Sequence, residues 1–209
     1  MYYPRFLRSK ALEYIIAANA FMFIVTLASS NAVLEWLALT PKDVLAKPWT
    51  LLTNMFIHGG FSHILFNMIT LFFFGTYLAR ITSEEDFLKT YFAGGLVASL
   101  AYVFTSFAFN IPPPHIPAIG ASGAVFAVMG ALIMLRPNMT VYVNFFIPMK
   151  MWMLGVIYLF FSIFAIGSGM GGVAHNAHLG GLLLGLYVGR KLRDEAPPET
   201  VYYTPYGGI

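Results

Sequence analysis

Long apolar runs constrain this chain more than any other feature of its sequence. Six of them can be recognised, at residues 14–30, 64–78, 90–109, 122–135, 151–166 and 173–188. A helix of about 20 apolar residues crosses the ~30 Å hydrocarbon core of a bilayer. Charged residues make up only 10% of the sequence, far below the roughly 25% of soluble domains. We therefore predict an integral membrane protein of the all-α class, a bundle of six transmembrane helices.

The positive charges lie at the ends of the apolar runs and predict the orientation of the chain. If the N-terminus is cytoplasmic, all of the 12 Lys and Arg residues except Lys42 and Lys47 lie on the cytoplasmic side, in agreement with the positive-inside rule. Both termini are then cytoplasmic, and the protein is a multi-pass protein of the cell membrane. The same positions argue against a nucleic-acid-binding patch, although the pI is about 9.1.

The sequence divides into a basic N-terminal segment at 1–13, a membrane domain at 14–190 and a short polar tail at 191–209. A cleavable signal peptide is the alternative for the first run, because a basic start, an apolar core and small residues at 28–30 fit one. The run is longer than the ~7 to 15 apolar residues of a typical signal peptide, so a membrane span is the preferred interpretation. With no cysteine in the sequence, disulfides are excluded.

The fourth apolar run is short and follows a proline-rich segment. Residues 110–120 contain four prolines and no charge, and proline lacks the backbone donor that a helix needs. Irregular backbone at membrane depth is tolerated only where protein or a water-filled cavity surrounds it. The run at 122–135 is also shorter than a full span. We infer that this fourth helix begins inside the membrane, at the floor of a water-filled depression.

A serine opens this fourth helix, in the turn Gly120-Ala-Ser122-Gly123. It is a candidate nucleophile if a base and donors for an oxyanion lie within reach. Polar residues inside membrane spans are functional hypotheses by default. Counted at about 1.5 Å per residue from the charged inner end of each helix, His63, Asn67, Ser122 and His178 all fall in the outer half of the core.

Small residues predict that the helices carrying Ser122 and His178 pack closely. They recur every fourth position after each of these two residues, as Gly123, Ala127 and Ala131 in one helix and as Gly181, Gly185 and Gly189 in the other. Such stripes let two membrane helices bring their backbones together, although packing alone would also explain them. Close packing of the two helices would place His178 beside Ser122.

No carboxylate lies in any span near His178, so a third member of a hydrolytic triad is missing. Phe126 lies one turn below Ser122 on the same helix face. Its ring could hold the imidazole by stacking instead. The residues therefore predict a Ser-His dyad.

Three motifs in this sequence resemble those of the rhomboid intramembrane serine proteases. They are His58-Gly-Gly-Phe-Ser-His63-Ile-Leu-Phe-Asn67 on the second span, Gly120-Ala-Ser122-Gly123 on the fourth and Ala177-His178-Leu-Gly-Gly181-Leu-Leu-Leu-Gly185 on the sixth. The resemblance extends from the first span to the sixth. With six spans and no appended soluble domain, it suggests the minimal form typical of bacteria and archaea.

This resemblance implies a serine endopeptidase that needs no metal or other cofactor. Ser122 would attack a peptide carbonyl and His178 would take its proton, while His63, Asn67 and the backbone N–H of Ser122 would form the oxyanion hole. His58 would shape the site by hydrogen bonding. Substrates would be single-span membrane proteins, cut near the outer end of the span, that reach the site beside the aromatic-rich fifth span.

The chain departs from the usual pattern of that family at three positions. Thr50 follows Trp49 where many members carry arginine, Ala79 stands where an acidic residue is frequent, and Phe126 replaces a frequent tyrosine. The first departure puts the anchoring of the outer loop in question. None of the three alters Ser122 or His178, so activity is expected.

Three other functions compete with this interpretation. His175 and His178, with His58 and His63, could bind a metal, but no carboxylate or thiol lies nearby and His-Glu-x-x-His is absent. We expect His175 and His115 to be solvent-exposed instead. A rhomboid-like client-binding protein would have lost the serine or the histidine, whereas this chain keeps both. A transporter would need an intramembrane charged residue for ion coupling, and the six apolar runs contain none.

Overall fold

The computed structural model describes residues 9–143, 146–168 and 174–193 of the chain. Eight α-helices lie in this part: α1 Lys10–Ala28, α2 Ser30–Leu37, α3 Thr50–Thr53, α4 Phe61–Ile81, α5 Glu84–Phe109, α6 Ser122–Leu135, α7 Met151–Ser168 and α8 His175–Leu192. Two strands, β1 Thr140–Val143 and β2 Ile147–Lys150, form an antiparallel hairpin. The helical architecture predicted from the apolar runs is confirmed, with this hairpin as an exception to the all-α class.

The outer surface of the bundle is apolar and suits a lipid environment. Helices α1, α4 and α5 are long and apolar enough to cross a membrane, while α6 and residues 151–166 of α7 are apolar but shorter. Large hydrophobic side chains point outward, among them Leu27 and Phe160, each 70% exposed. Soluble monomers rarely expose apolar patches of this extent. The chain is an integral membrane protein, and the count of six spans stays a prediction.

Polar caps explain why two helices begin earlier than the apolar runs predict. Ser9 precedes α1, and its hydroxyl accepts a hydrogen bond from the Leu12 N–H at 3.2 Å. Ser83 likewise accepts from the Asp86 N–H at 3.0 Å and starts α5 at Glu84. Serine is a preferred N-cap because it satisfies a backbone donor that the helix leaves unpaired. Residues 84–89, which precede the apolar run at 90–109, are therefore helical.

Helix α6 lies at the centre of the bundle, in contact with α4, α5, α7 and α8. Most of its residues are buried, including Ala124, Ala127 and Leu132, which are fully inaccessible. A helix that is apolar all round belongs in the interior of a bundle. This position surrounds the short fourth run with protein rather than with lipid.

The small-residue stripes of α6 and α8 pack directly against each other, as predicted. A Cβ atom added to Gly181 would lie 2.0 Å from the carbonyl oxygen of Gly123, and one added to Gly185 would lie 2.0 Å from that of Ala127. At Gly189 the corresponding distance to the Ala131 carbonyl oxygen is 2.5 Å. No side chain fits at these distances, so glycine is what permits the two backbones to touch.

The first outer loop is tied to the proline-rich segment that precedes α6. Leu39 and Ala118 exchange both backbone hydrogen bonds, at 3.0 and 2.8 Å. The Asn54 carbonyl accepts from the Gly120 N–H at 2.9 Å. The amide nitrogen of Asn54 is itself held by the Thr50 carbonyl and the Ser99 hydroxyl, at 2.6 and 3.0 Å. These contacts fix the position at which α6 begins.

The polar segments between the spans contain more regular structure than the sequence indicates. The loop at 31–57, between the first two apolar runs, contains helices α2 and α3 and two 3-10 turns. The segment at 136–150, between the fourth and fifth runs, contains the hairpin, whose first strand is Thr-Val-Tyr-Val. β-branched and aromatic residues favour strands, but a four-residue run is too short to stand out beside the long apolar segments.

Candidate active site

Ser122 is the first residue of α6, and its position depends on the turn before it. Gly120 has φ +119°, a backbone conformation that residues with a side chain rarely adopt. The Ala121 N–H donates to Nε2 of His58 at 3.4 Å. The first N–H groups of a helix have no partner within the helix. The Ser122 N–H is therefore available to an acceptor beside its own hydroxyl.

The serine hydroxyl and an imidazole meet at the junction of α6 and α8. Oγ of Ser122 lies 2.6 Å from Nε2 of His178, a hydrogen-bonding distance. Ser122 is partly exposed and His178 is buried, with 8% of its surface accessible. A neutral imidazole has one donor and one acceptor nitrogen. When the Ser122 hydroxyl donates to Nε2, the hydrogen of His178 resides on Nδ1.

Two aromatic residues hold the His178 ring. Phe126 stacks on it, with ring centroids 4.7 Å apart and an interplanar angle of 30°. Tyr158 of α7 stacks on Phe126 at 3.9 Å, and its hydroxyl oxygen lies 2.5 Å from Nδ1 of His178. The sequence interpretation names Phe126 but uses Tyr158 only as one of several aromatics of the fifth span. Tyr158 is half-buried in the structure, and one aromatic among several on an apolar helix gives no sequence signal for this contact.

His63 lies on the other side of Ser122, against Gly120. A Cβ atom added to Gly120 would be 2.7 Å from Nε2 of His63 and 3.7 Å from Oγ of Ser122, so both atoms border the same space. Nδ1 of His63 accepts from the Gly59 N–H at 3.3 Å. Because Nδ1 is the acceptor, Nε2 carries the hydrogen of the neutral ring. His63 therefore presents a donor beside the serine.

Asn67 is buried one turn after His63 on α4. Its amide nitrogen donates to the His63 carbonyl at 2.8 Å, a contact within the helix. An amide nitrogen carries two hydrogens, so it can donate to a second acceptor. The structure thus brings His63 against the serine turn and keeps the Asn67 amide on the same helix, one turn deeper.

His58 contacts both the turn before Ser122 and the ring of His63. It is almost fully buried, with 1% of its surface accessible. Its ring lies edge-on to that of His63 at 5.0 Å, and its Nε2 accepts the Ala121 N–H, as described above. His58 therefore joins the turn before Ser122 to the histidine that flanks it.

The expectation that His175 is solvent-exposed is wrong. Only 7% of its surface is accessible, because it lies edge-on to Phe161 at 5.4 Å and to His178 at 6.2 Å. The sequence places it near the outer end of a span but does not reveal that α7 covers it. His115 is exposed, as expected. Among the described residues, no three side chains of the types that bind metals come together.

Thr50, which stands where many rhomboids carry arginine, lies in a loop that is held by several other contacts. Its hydroxyl donates to the Lys47 carbonyl at 2.7 Å. Lys47 lies over the Trp36 ring, 4.9 Å from its centroid, and Trp49 donates its ring N–H to the Trp36 carbonyl at 2.8 Å. These contacts fasten the outer loop without the arginine.

A small cavity of about 20 Å³ lies directly behind Ser122. Asn54, Ser99 and Tyr102 are among its lining residues. A volume of about 10 to 15 Å³ accommodates one water molecule. The site can therefore store a water next to the serine.

Comparison with known proteins identifies the family. A family profile described as the rhomboid domain matches residues 45–195. The chain is 37% identical over 155 residues to RHOMBOID-like protein 12, mitochondrial, of Arabidopsis thaliana. This alignment covers 69% of this chain and 46% of that relative. It is 30% identical over 144 residues to Rhomboid protease GluP of Bacillus subtilis, 69% of this chain and 26% of the relative. With Rhomboid protein 1, mitochondrial, of Saccharomyces cerevisiae the identity is 27% over 159 residues, 72% and 44% of the two chains. The chain spans less than half the length of each of these relatives. Because the profile covers most of the chain, the protein belongs to the rhomboid family.

Proposed function

We propose that this protein is an intramembrane serine endopeptidase that hydrolyses peptide bonds of single-span membrane proteins near the outer face of the membrane. The observation that carries the proposal is the 2.6 Å contact between Oγ of Ser122 and Nε2 of His178. A serine hydroxyl is a poor nucleophile until a base within hydrogen-bond reach can take its proton. The family membership and a relative named a rhomboid protease support it.

In the first step Oγ of Ser122 attacks the carbonyl carbon of the scissile peptide bond. As the new O–C bond forms, the proton of the hydroxyl passes to Nε2 of His178 and the carbonyl π electrons move onto oxygen. When the tetrahedral intermediate collapses, the C–N bond breaks and Nε2 returns the proton to the leaving amine. The product is an acyl ester on Ser122 and a free amino terminus.

In the second step a water molecule hydrolyses the ester. His178 takes a proton from the water, which attacks the acyl carbon; the bond between that carbon and Oγ of Ser122 then breaks as Nε2 returns the proton to Oγ, and the new carboxyl terminus is released. The cavity of about 20 Å³ that Ser122 lines could hold a water in reserve close to the serine. Within the lipid core, such a store would substitute for bulk solvent.

Donors on the far side of the serine would stabilise the oxyanion. The proposed donors are the Ser122 N–H, Nε2–H of His63 and the second amide hydrogen of Asn67. The positive end of the α6 dipole adds to their field. Removing one such donor typically costs about 10²- to 10³-fold in rate. The contacts of His63 with Gly59 and Gly120 support its part in this set.

The membrane location and orientation form the second half of the proposal. We place the protein in a cell membrane with both termini in the cytoplasm, because almost all of its Lys and Arg residues then lie inside. Two of the relatives are named mitochondrial, so a mitochondrial membrane is the competing location. In the proposed orientation Ser122 opens toward the outer face, where the span of a substrate would be cut.

The test is cleavage of a model single-span substrate in liposomes by the wild type, Ser122→Ala and His178→Ala. Ser30→Ala and His115→Asn are matched controls, because both residues are exposed and neither belongs to the proposed site. We expect cleavage by the wild type and both controls, resistance to a chelator, and loss in both dyad variants. Cleavage by Ser122→Ala, or its inhibition by the chelator, would contradict the mechanism and favour a metal site. If no form cleaves but the wild type binds the substrate, a client-binding role replaces the protease.

A further inference from the structure

We propose that Tyr158 is a positioning residue of this site, the third member of the group formed by Ser122 and His178. This inference rests on the proposed protease function. The hydroxyl oxygen of Tyr158 accepts the Nδ1 hydrogen of His178 and so keeps Nε2 as the acceptor that faces the serine. The group would then be Ser-His-Tyr, with a neutral phenol in the place that a carboxylate occupies in serine hydrolases of other folds.

The geometry shows that both nitrogens of the His178 ring are engaged. Nε2 lies 2.6 Å from Oγ of Ser122 and Nδ1 lies 2.5 Å from the Tyr158 hydroxyl. A histidine whose second nitrogen lacked a partner could adopt either tautomer or rotate about its side chain. With Tyr158 as the acceptor at Nδ1, only the tautomer able to take a proton from Ser122 satisfies both contacts.

The hydrogen of the tyrosine itself then needs an acceptor, and Ser162 supplies one. It follows Tyr158 by one turn on α7 and is fully inaccessible. Its Oγ has no hydrogen bond of ordinary geometry in the part of the chain that the structure describes. A buried hydroxyl without a partner is costly, so we assign it as the acceptor of the tyrosine hydrogen. The resulting chain runs from Ser122 through His178 and Tyr158 to Ser162.

A phenol suits this place because the surroundings are lipid and packed rings. A buried carboxylate inside a membrane carries a large desolvation cost, whereas a tyrosine oxygen accepts a hydrogen bond without a charge. The Tyr158 ring also stacks on Phe126, which in turn stacks on His178. Replacing Tyr158 with phenylalanine would keep these ring contacts and remove only the oxygen.

The main experiment compares the wild type with Tyr158→Phe, using Tyr187→Phe as a matched control. Tyr187 lies on α8 but is 54% exposed and faces away from the site. We expect Tyr158→Phe to lower kcat by roughly 10- to 100-fold, the range for a hydrogen bond to a group that becomes charged during the reaction. KM should stay unchanged, as should all parameters of Tyr187→Phe, whereas the thermal midpoint of Tyr158→Phe should fall, because this variant leaves the Ser162 hydroxyl and Nδ1–H of His178 without a partner. The rate at which a fluorophosphonate labels Ser122 should fall by the same factor as kcat.

A second measurement distinguishes positioning from packing. In protein labelled with ¹⁵N at histidine, the ring nitrogens report which of them carries the hydrogen. We expect Nδ1 of His178 to be protonated in the wild type and the two tautomers to mix in Tyr158→Phe. The wild-type spectrum alone decides the question if the variant does not fold, because an unprotonated Nδ1 would overturn the proposal.

The outcomes separate the two proposals. If the wild type does not cleave and the fluorophosphonate does not label Ser122, the protease function fails. If the wild type cleaves and Tyr158→Phe matches it in kcat, the protease function stands and the role of Tyr158 is refuted. A loss of activity with an unchanged tautomer would assign Tyr158 to packing and also refute it.

Discussion

The glycine at 181 offers the sharpest test of how the two helices create the site. In Gly181→Ala, the added Cβ would lie 2.0 Å from the Gly123 carbonyl oxygen, and the next atoms that it meets are also backbone. Protein Cβ atoms essentially never approach another atom closer than 3.0 Å. Since backbone cannot rotate away as a side chain does, α6 and α8 must separate locally by about 1 Å.

That separation acts directly on the proposed dyad. Gly123 follows Ser122 and Gly181 lies one turn after His178, so a shift of about 1 Å would stretch the 2.6 Å contact toward ~3.6 Å, beyond hydrogen-bonding distance. A misplacement of this size can cost about 100-fold in rate. The free energy of unfolding should change much less than the activity does. Overpacking costs about 1 to 3 kcal/mol, and the helix preference for alanine over glycine offsets about 1 kcal/mol of it.

Substrate cleavage and thermal unfolding of the same purified protein would measure both effects. Gly189→Ala is the matched control, because its Cβ would lie 2.5 Å from the Ala131 carbonyl oxygen, about 13 Å along the helices from the site. We expect it to lose a similar amount of stability but much less activity. Gly60→Ala, with no atom within 4 Å of its added Cβ, should change neither. If Gly181→Ala keeps wild-type activity, or if Gly189→Ala loses as much, the close contact does not position the dyad.

Three further predictions follow from the geometry and the charges. Gly120→Ala should lose about 100-fold in activity, because its φ of +119° is strained for alanine and the new Cβ would meet Nε2 of His63 at 2.7 Å; full cleavage by the folded variant would contradict this. Cleavage by the wild type should decline as the pH falls, because protonated His178 cannot accept the serine proton; a pH–rate profile that rises toward acid would exclude it as the base. The chain has no cysteine, so Lys42→Cys should react with an impermeant maleimide from outside the cell and Arg80→Cys only after permeabilisation; the opposite pattern would reverse the proposed orientation.

Much of the fold could be predicted because the helices α1, α4, α5, α6, α7 and α8 each correspond to an apolar run in the sequence. The fourth run matches α6 residue for residue, because Pro117 and Gly120 stop a helix sharply on one side and Pro137 does so on the other. The hairpin and the two loop helices could not be predicted in the same way. The outer loop is held by contacts between distant parts of the chain, such as the Leu39–Ala118 pair, and each strand of the hairpin is only four residues long.

The candidate site was predictable where spacing carries the information. The stripe from Gly181 to Gly189 locates α8 against α6, and that contact alone is enough to bring His178 to Ser122. Tyr158 and His175 depend instead on how α7 rotates about its axis. Almost every position of that helix is apolar or aromatic, so its sequence contains no face that indicates which side turns inward. The group that contacts Nδ1 of His178 could therefore be found only from the structure.

The division of the proposed dyad between α6 and α8 has a consequence during the synthesis of the protein. The base lies 56 residues after the nucleophile in the chain. At a ribosomal rate of about 5 to 20 residues per second, several seconds separate their synthesis. During that interval Ser122 lacks the imidazole of His178, its proposed base. If the protein is the proposed protease, it would therefore stay inactive toward other nascent spans in its membrane until its own helices had assembled.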